Sequence, residues 1–324
     1  IRKFDENDVK GYDKLLKTSK DIFEIGFEKL SDKPFISFWE MAKQLPSLIK
    51  LKSYLTVSQL VNSKLKNKYL RKAFSIHPLL VGGNPFTTTS IYALIHYLER
   101  KWGVYFCMGG TGKIVKELEN LMVRQGIDIK KQSDVERISI NNGKAENVVL
   151  TDGSKIEADL VICNADPPTV YSEMLPSKYS RDSLLKPKKF THYSMGLYVL
   201  FFGSKKKFSD VAHHTIWMSE RYKELLHDIF EKKILTDDFS LYLHRPTATD
   251  ETFAPEGCDS FYVLCPVPNL QGDVQWDSEG PKLKDKIVEA LDRTMMPGLT
   301  ENIEAEFWMT PKDFKKDYRS KYGA

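Results

Sequence analysis

A chain of 324 residues with 41% hydrophobic composition is long enough to bury a large core or to form two domains. Its 48 Lys plus Arg against 44 Asp plus Glu leave a formal +4 spread along the chain; this excludes the concentrated basic face of a nucleic-acid binder and is compatible with weak attraction to anionic lipid. No apolar run reaches the roughly 18 residues that a spanning helix needs, and the cysteines, Cys107, Cys163, Cys258 and Cys265, have no zinc-type spacing and read as free thiols of a cytoplasmic protein.

From Asp8 to Leu30 the residues Val9, Tyr12, Leu15, Leu16, Phe23 and Phe27 recur at helical spacing among lysines. A more apolar helix is expected from Phe35 to Leu51, kinked or divided at Pro46. Lys43, Lys50 and Lys52 fringe it, either as a solvated side or as the charged rim of a helix lying in a membrane interface. Thr56 is placed to cap a third helix carrying Val57, Leu60, Val61 and Leu65. Gly82-Gly83-Asn84-Pro85 is turn chemistry, and Thr87 to Ser90 offers caps for a helix through Ile91, Leu94, Ile95 and Leu98. His77 and His96 read as hydrogen-bonded structural residues, since no second metal ligand is spaced near either.

The stretch from Trp102 to Asp166 organises the chain. A short apolar strand leads into Gly109-Gly110-Thr111-Gly112 and then an amphipathic helix with Ile114, Val115, Leu118, Leu121 and Met122 on one side, ended by Gly126. Ile127 to Lys130 follows as a short strand, and alternation from Val135 to Ile140 predicts another; Asn142-Gly143 and Asp152-Gly153 predict hairpin turns on either side of Val148-Val149-Leu150. Leu160-Val161-Ile162-Cys163 lacks polar alternation, which suits a central parallel strand stopping at Asn164-Ala165-Asp166. Ligands of open α/β sheets bind beyond the carboxyl ends of such strands, so this loop is a place for a cofactor. Gly110-Thr111-Gly112 lacks the third glycine of a dinucleotide fingerprint, Val115 standing there. It is either a tight turn or a place where bare backbone approaches a flat ligand.

Beyond Pro168 the pattern becomes antiparallel β with inserted helices. Met195 to Phe202, Leu241 to Leu243, Phe261 to Leu264 and Ile303 to Met309 read as strands, with helices over Arg221 to Lys232 and Pro281 to Met295. The aromatic strands have little polar alternation, so their second face is either covered by another layer or lines an apolar tunnel. His213 and His214, if adjacent in a strand, point to opposite faces, and no metal site is expected.

The runs Ala73 to Phe86, Ser90-Ile91-Tyr92, Trp102-Gly103-Val104 and Gly109 to Gly112, followed by Ala212 to Thr215, Phe239 to His244, Ala254 to Cys258 and Met296 to Leu299, resemble bacterial phytoene desaturases over essentially the whole chain. These are FAD-dependent carotenoid desaturases of the flavin amine oxidase-like superfamily. Desaturases of shorter or modified carotenoids differ around Gly82 to Pro85, so phytoene is the substrate favoured by the resemblance. Family members begin with a GxGxxG turn and end with a segment closing over the flavin; neither is found here, and the chain is expected to be an internal fragment, inactive alone.

The resemblance implies a mixed α/β (α+β) fold, part of a flavin-binding Rossmann-like domain interleaved with a substrate domain of antiparallel sheet plus helices. The expected divisions are a mainly helical, membrane-facing part over 1–103, a returning flavin-domain segment over 104–170, the antiparallel substrate domain over 171–309, and a return to the flavin domain over 310–324. It implies FAD contacts at Val135 through main chain, at Asn164, Ala165 and Asp166 in the cofactor cleft, and at Gly109, Gly110, Thr111 and Gly112 near the flavin ring or tunnel mouth. The expected chemistry is allylic hydride transfer to flavin and proton loss. Glu40, in the apolar setting Phe38-Trp39-Glu40-Met41 with Lys43 one turn on, is the expected base, with an exposed helix glutamate as the alternative. Expected partners are phytoene or a related carotenoid and the inner face of the cell membrane, met peripherally, with no nucleic acid and no metal. A carotenoid isomerase, another flavin amine oxidase-like enzyme and a non-catalytic lipid-binding module are the alternatives.

Overall fold

The computed structural model describes residues 1–32, 38–179 and 192–324, without the side chains of Phe38, Glu40 and Met41. The chain divides into two compact units, Ile1–Tyr105 and Phe106–Ala324. No helix among the described residues is long and apolar enough to cross a membrane.

The first unit is helical: α1 (Val9–Phe23), α2 (Phe38–Lys50), α3 (Val57–Asn62), α4 (Lys68–Ser75) and α5 (Leu94–Trp102). Leu15, Ile22, Val57, Leu60, Val61, Leu65 and Leu70 form its core, in keeping with the helical spacing of these residues in the sequence. Two backbone devices lock it. The buried Asp8 carboxylate accepts from the Lys66 and Asn67 amides at 2.7–2.9 Å, satisfying donors at the turn that opens α4. Gly11 lets α1 touch the α3–α4 connection, since a Cβ there would run into the Lys64 carbonyl oxygen. Thr56 caps α3 in a reciprocal box with Gln59, as its position predicts. α2 runs through Pro46 without dividing; the expected start of that helix at Phe35 lies outside the described residues. His77 and His96 are buried and meet edge to face with ring centroids 4.3 Å apart. The expectation that both are hydrogen-bonded holds only in part, because His77 Nδ1 and His96 Nε2 are buried without partners.

The second unit holds α6 (Thr111–Arg124) and a three-stranded antiparallel meander of β1 (Val135–Asn141), β2 (Lys144–Leu150) and β3 (Lys155–Glu157). Asn142 and Gly143 both have positive φ at the β1–β2 hairpin, as an Asn-Gly turn requires. A five-stranded antiparallel sheet follows in the order β5-β6-β7-β4-β8, from β4 (Gly196–Ser204), β5 (His214–Trp217), β6 (Leu241–His244), β7 (Asp259–Val267) and β8 (Ile303–Met309). Tyr198, Leu200, Phe202, Leu243, Phe261, Val263 and Cys265 cover one face of that sheet and pack with Trp276, Leu283, Ile287 and Leu291 of α7 (Trp276–Thr294). α7 begins five residues before the expected start at Pro281, because Trp276 is drawn into this core.

Three strand expectations fail. Val104 to Met108 and Ile127 to Lys130 form no strand. Leu160 to Cys163 is no central strand either: it pairs with no described strand, and Leu160 and Ile162 are 74% and 88% exposed. An apolar run becomes a central strand only where neighbours present their own amides and carbonyls on both sides. α6 forms where its periodicity places it, yet none of its residues is buried.

Candidate functional site

β7 alternates between buried residues on the core face and half-buried residues on the other, and β4 does so except at Val199, which is buried on the second face. On that second face the register sets one ring or imidazole from each strand in a single row. Phe307 of β8 lies opposite Phe201 of β4, Phe201 opposite Tyr262 of β7, Tyr262 opposite His244 of β6, and His244 opposite His214 of β5. Ring centroids of successive members are 4.5, 5.8, 4.6 and 5.3 Å apart. With strands about 4.8 Å apart, the row is roughly 19 Å long. A neighbouring row adds Leu264, Tyr242 and Ile216. Such a lane offers apolar area and π faces, and no full charge.

The row ends in a cluster of imidazoles. His213 Nε2 lies 2.9 Å from His244 Nε2, and Phe106 packs its ring edge to face on His213 at 4.7 Å. His213 Nδ1 is 2.5 Å from the Thr249 hydroxyl, and His214 Nδ1 is 2.7 Å from the Tyr242 hydroxyl. The expected separation of His213 from His214 by strand alternation therefore fails: His213 sits in the bend before β5, where the period of two does not apply. Arg245 fixes the bend. Its amide donates to the His213 carbonyl at 2.9 Å, and its buried guanidinium donates to Asp259 at 3.0 Å and to the Val211 carbonyl at 3.0 Å. Burial, reinforced by the neighbouring imidazoles, pulls His244 down to about 4 and lowers His213; burial alone lowers His214. All three are neutral at pH 7 and offer lone pairs.

The glycine run meets the same region. The Gly109 amide donates to Asp250 at 2.8 Å, and Asp250 also caps the turn at Thr252. Gly110 has φ 80° and ψ 177°, and a Cβ there would lie 2.8 Å from the Phe253 ring. The flat group this glycine approaches is thus the chain's own Phe253, which also packs near Phe106 at 6.0 Å. Gly112 has open space around it at the start of α6, where helix amides lack intrahelical acceptors.

The other expected cofactor residues are held by different partners. Val135 opens β1 opposite Leu150, half-buried. Asn164 and Ala165 are exposed outside any strand, Ala165 at a bend, and Asp166 Oδ2 accepts the Lys321 amide at 3.1 Å. The exposed main chain at 164–165 and the open space at Gly112 each leave polar backbone groups free to meet a ligand's polar edge. The side chain of Glu40 lies outside the described residues.

The row and the third histidine are what sequence reasoning missed. Four of the five strands are legible alone; β5 and the register across the sheet are not.

Residues 4–252 match the family model for flavin containing amine oxidoreductases. The chain is 43% identical over 318 residues to a lycopene-forming phytoene desaturase of Pseudescherichia vulneris, covering 97% of this chain and 64% of that protein. It is 38% identical over 333 residues to a neurosporene-forming phytoene desaturase of Rhodobacter capsulatus, covering 100% of this chain and 63% of that protein. The chain thus spans just under two thirds of the length of these relatives. Among solved structures, an oxidoreductase from Methanosarcina mazei superposes with a TM-score of 0.58 at 18% identity, covering 85% of this chain and 61% of that one, a likeness of fold.

Proposed function

The chain belongs to the flavin containing amine oxidoreductase family, and from that premise we propose that the protein desaturates phytoene towards lycopene with FAD. The observation that carries this reading is the in-register row from Phe307 to His214. A hydrocarbon with no charge and no hydrogen-bonding group is recognised only by apolar burial, at about 25 cal/mol per Å², and by the length and shape of its groove. The row supplies apolar area and length. An amine oxidase of polar substrates would want a carboxylate or amide along it, and the row has none.

When bound, FAD supplies the hydride acceptor for oxidation of an allylic C–H bond. Gly112, Val135, Asn164, Ala165 and Asp166 would hold it through main chain and the Asp166 carboxylate, with Gly109, Gly110 and Thr111 shaping the adjoining wall. Phe201, Tyr262 and Phe307 orient the carbon chain and keep water from the carbon that loses hydride. Glu40 is assigned as the base that takes the neighbouring proton, on the strength of its apolar sequence setting.

The substrate dissolves in bilayers, so the protein works against a membrane. α2 supports this: Trp39, Leu45 and Ile49 are 74%, 53% and 63% exposed, and Lys43 and Lys50 lie on the same helix. On this reading the enzyme works at the cytoplasmic face of the cell membrane. Reconstitution of the native gene product with FAD and phytoene-loaded liposomes tests it. Products with more conjugated double bonds and a stoichiometric flavin spectrum are expected; isomerised but unoxidised phytoene, or no flavin, would overturn it.

A further inference from the structure

We propose that His213, His214 and His244 form a three-imidazole site for a divalent transition-metal ion of the zinc or cobalt class, tying the bend before β5 to the end of β6. The site goes beyond the desaturase reading and does not depend on it. One ring nitrogen from each residue lies within 4.8 Å of the other two. Zinc–imidazole bonds of about 2.0–2.1 Å place tetrahedral ligand atoms roughly 3.3 Å apart. The 2.9 Å between His213 Nε2 and His244 Nε2 needs a slight opening, and the widest separation needs a ring rotation of the exposed His214.

Two of the three rings have the surroundings of a metal ligand. A metal-bound imidazole donates its other N–H to a hydroxyl, carbonyl or carboxylate, which fixes the tautomer and aims the lone pair. Thr249 and Tyr242 are placed to accept from Nδ1 of His213 and His214. His244 Nδ1 is buried with no partner, so Nε2, the atom facing His213, carries all the polar contacts of that ring. Arg245 and Asp259 hold the main chain on both sides of the cluster, so the site is preformed on rigid elements. A three-histidine set leaves a fourth position open for water.

The test uses the 324-residue chain prepared without a histidine tag and stripped with chelator, titrated with cobalt(II) alone and then with zinc. Wild type should bind one cobalt per chain with visible d–d absorption that zinc displaces. His244→Ala should abolish the signal, Tyr242→Phe should weaken affinity roughly 10- to 100-fold by removing the His214 partner, and exposed His227→Asn should leave it unchanged. His214→Gln, at an exposed position, gives a second ligand variant whose fold is checked by circular dichroism. Absence of the cobalt spectrum at millimolar metal, or stoichiometric binding retained in both His214→Gln and His244→Ala, would overturn the assignment. Metal content is read directly, so failure here is distinct from failure to bind flavin or oxidise phytoene.

Discussion

At the scale of single residues, two glycines of one motif have opposite roles. Gly110 sits at φ 80°, ψ 177°, a region open essentially only to glycine, with Phe253 filling the space a Cβ would take. Gly110→Ala is expected to destabilise the chain by about 1–3 kcal/mol in urea unfolding. Gly112 lies inside α6 with open space where a Cβ would stand, so Gly112→Ala should be neutral or stabilise by up to about 1 kcal/mol. Equal effects of the two would contradict the assignment. Asp259 accepts from Arg245, Thr247 and the Phe208 amide while fully buried; Asp259→Asn should cost about 3–5 kcal/mol, since it leaves the buried Arg245 charge unpaired. His96 carries a pH dependence. Burial, then the His77 ring, pulls it from 6.5 to about 3. Between those values the unfolded chain binds a proton that the folded chain refuses, so this contribution to stability is complete above about pH 6.5 and is lost as pH falls towards 3. The slope is at most about 1.4 kcal/mol per pH unit. Denaturant unfolding between neutral pH and about pH 4 should show a shallower loss in His96→Asn than in wild type; parallel curves would contradict it.

Elements were legible in the sequence where local signals suffice. The Thr56 cap, the Asn142-Gly143 hairpin, the α6 period and the strand at Ile303–Met309 all stand where propensity and patterning put them. What failed needed a partner from elsewhere. Leu160 to Cys163 has the composition of a central strand and no described strand beside it, and His213 lies one residue outside β5, enough to cancel the alternation. The apolar stripe of α6 tells which side is greasy and not what covers it. In this chain Leu118 is 54% exposed, so Leu118→Ala should change stability by no more than about 0.5 kcal/mol. Leu243, fully buried in β6, should cost about 2–5 kcal/mol when cut to Ala. A large effect at Leu118 would mean that α6 packs in solution. The aromatic strands of the candidate site were legible one by one, while the row that joins them follows from register, which residue spacing within one strand does not encode.

On the proposed reading, the exposed apolar residues of α2 meet the bilayer and the aromatic lane of the sheet holds the hydrocarbon. The native gene product should pellet with anionic liposomes, be partly released by high salt, and lose binding when Trp39 and Leu48 become Ser with unchanged circular dichroism. Equal pelleting of both proteins would move the membrane contact to another surface. The central claim is that the lane from Phe307 to His214 is the hydrocarbon site, and photolabelling of the native gene product with a diazirine-bearing long polyene tests it most directly. Cross-linked peptides are expected from β4, β7 and β8, competed by phytoene and lost in a Phe201→Asp variant that remains folded. Labelling confined to α1–α5, or undiminished in that variant, would contradict the claim.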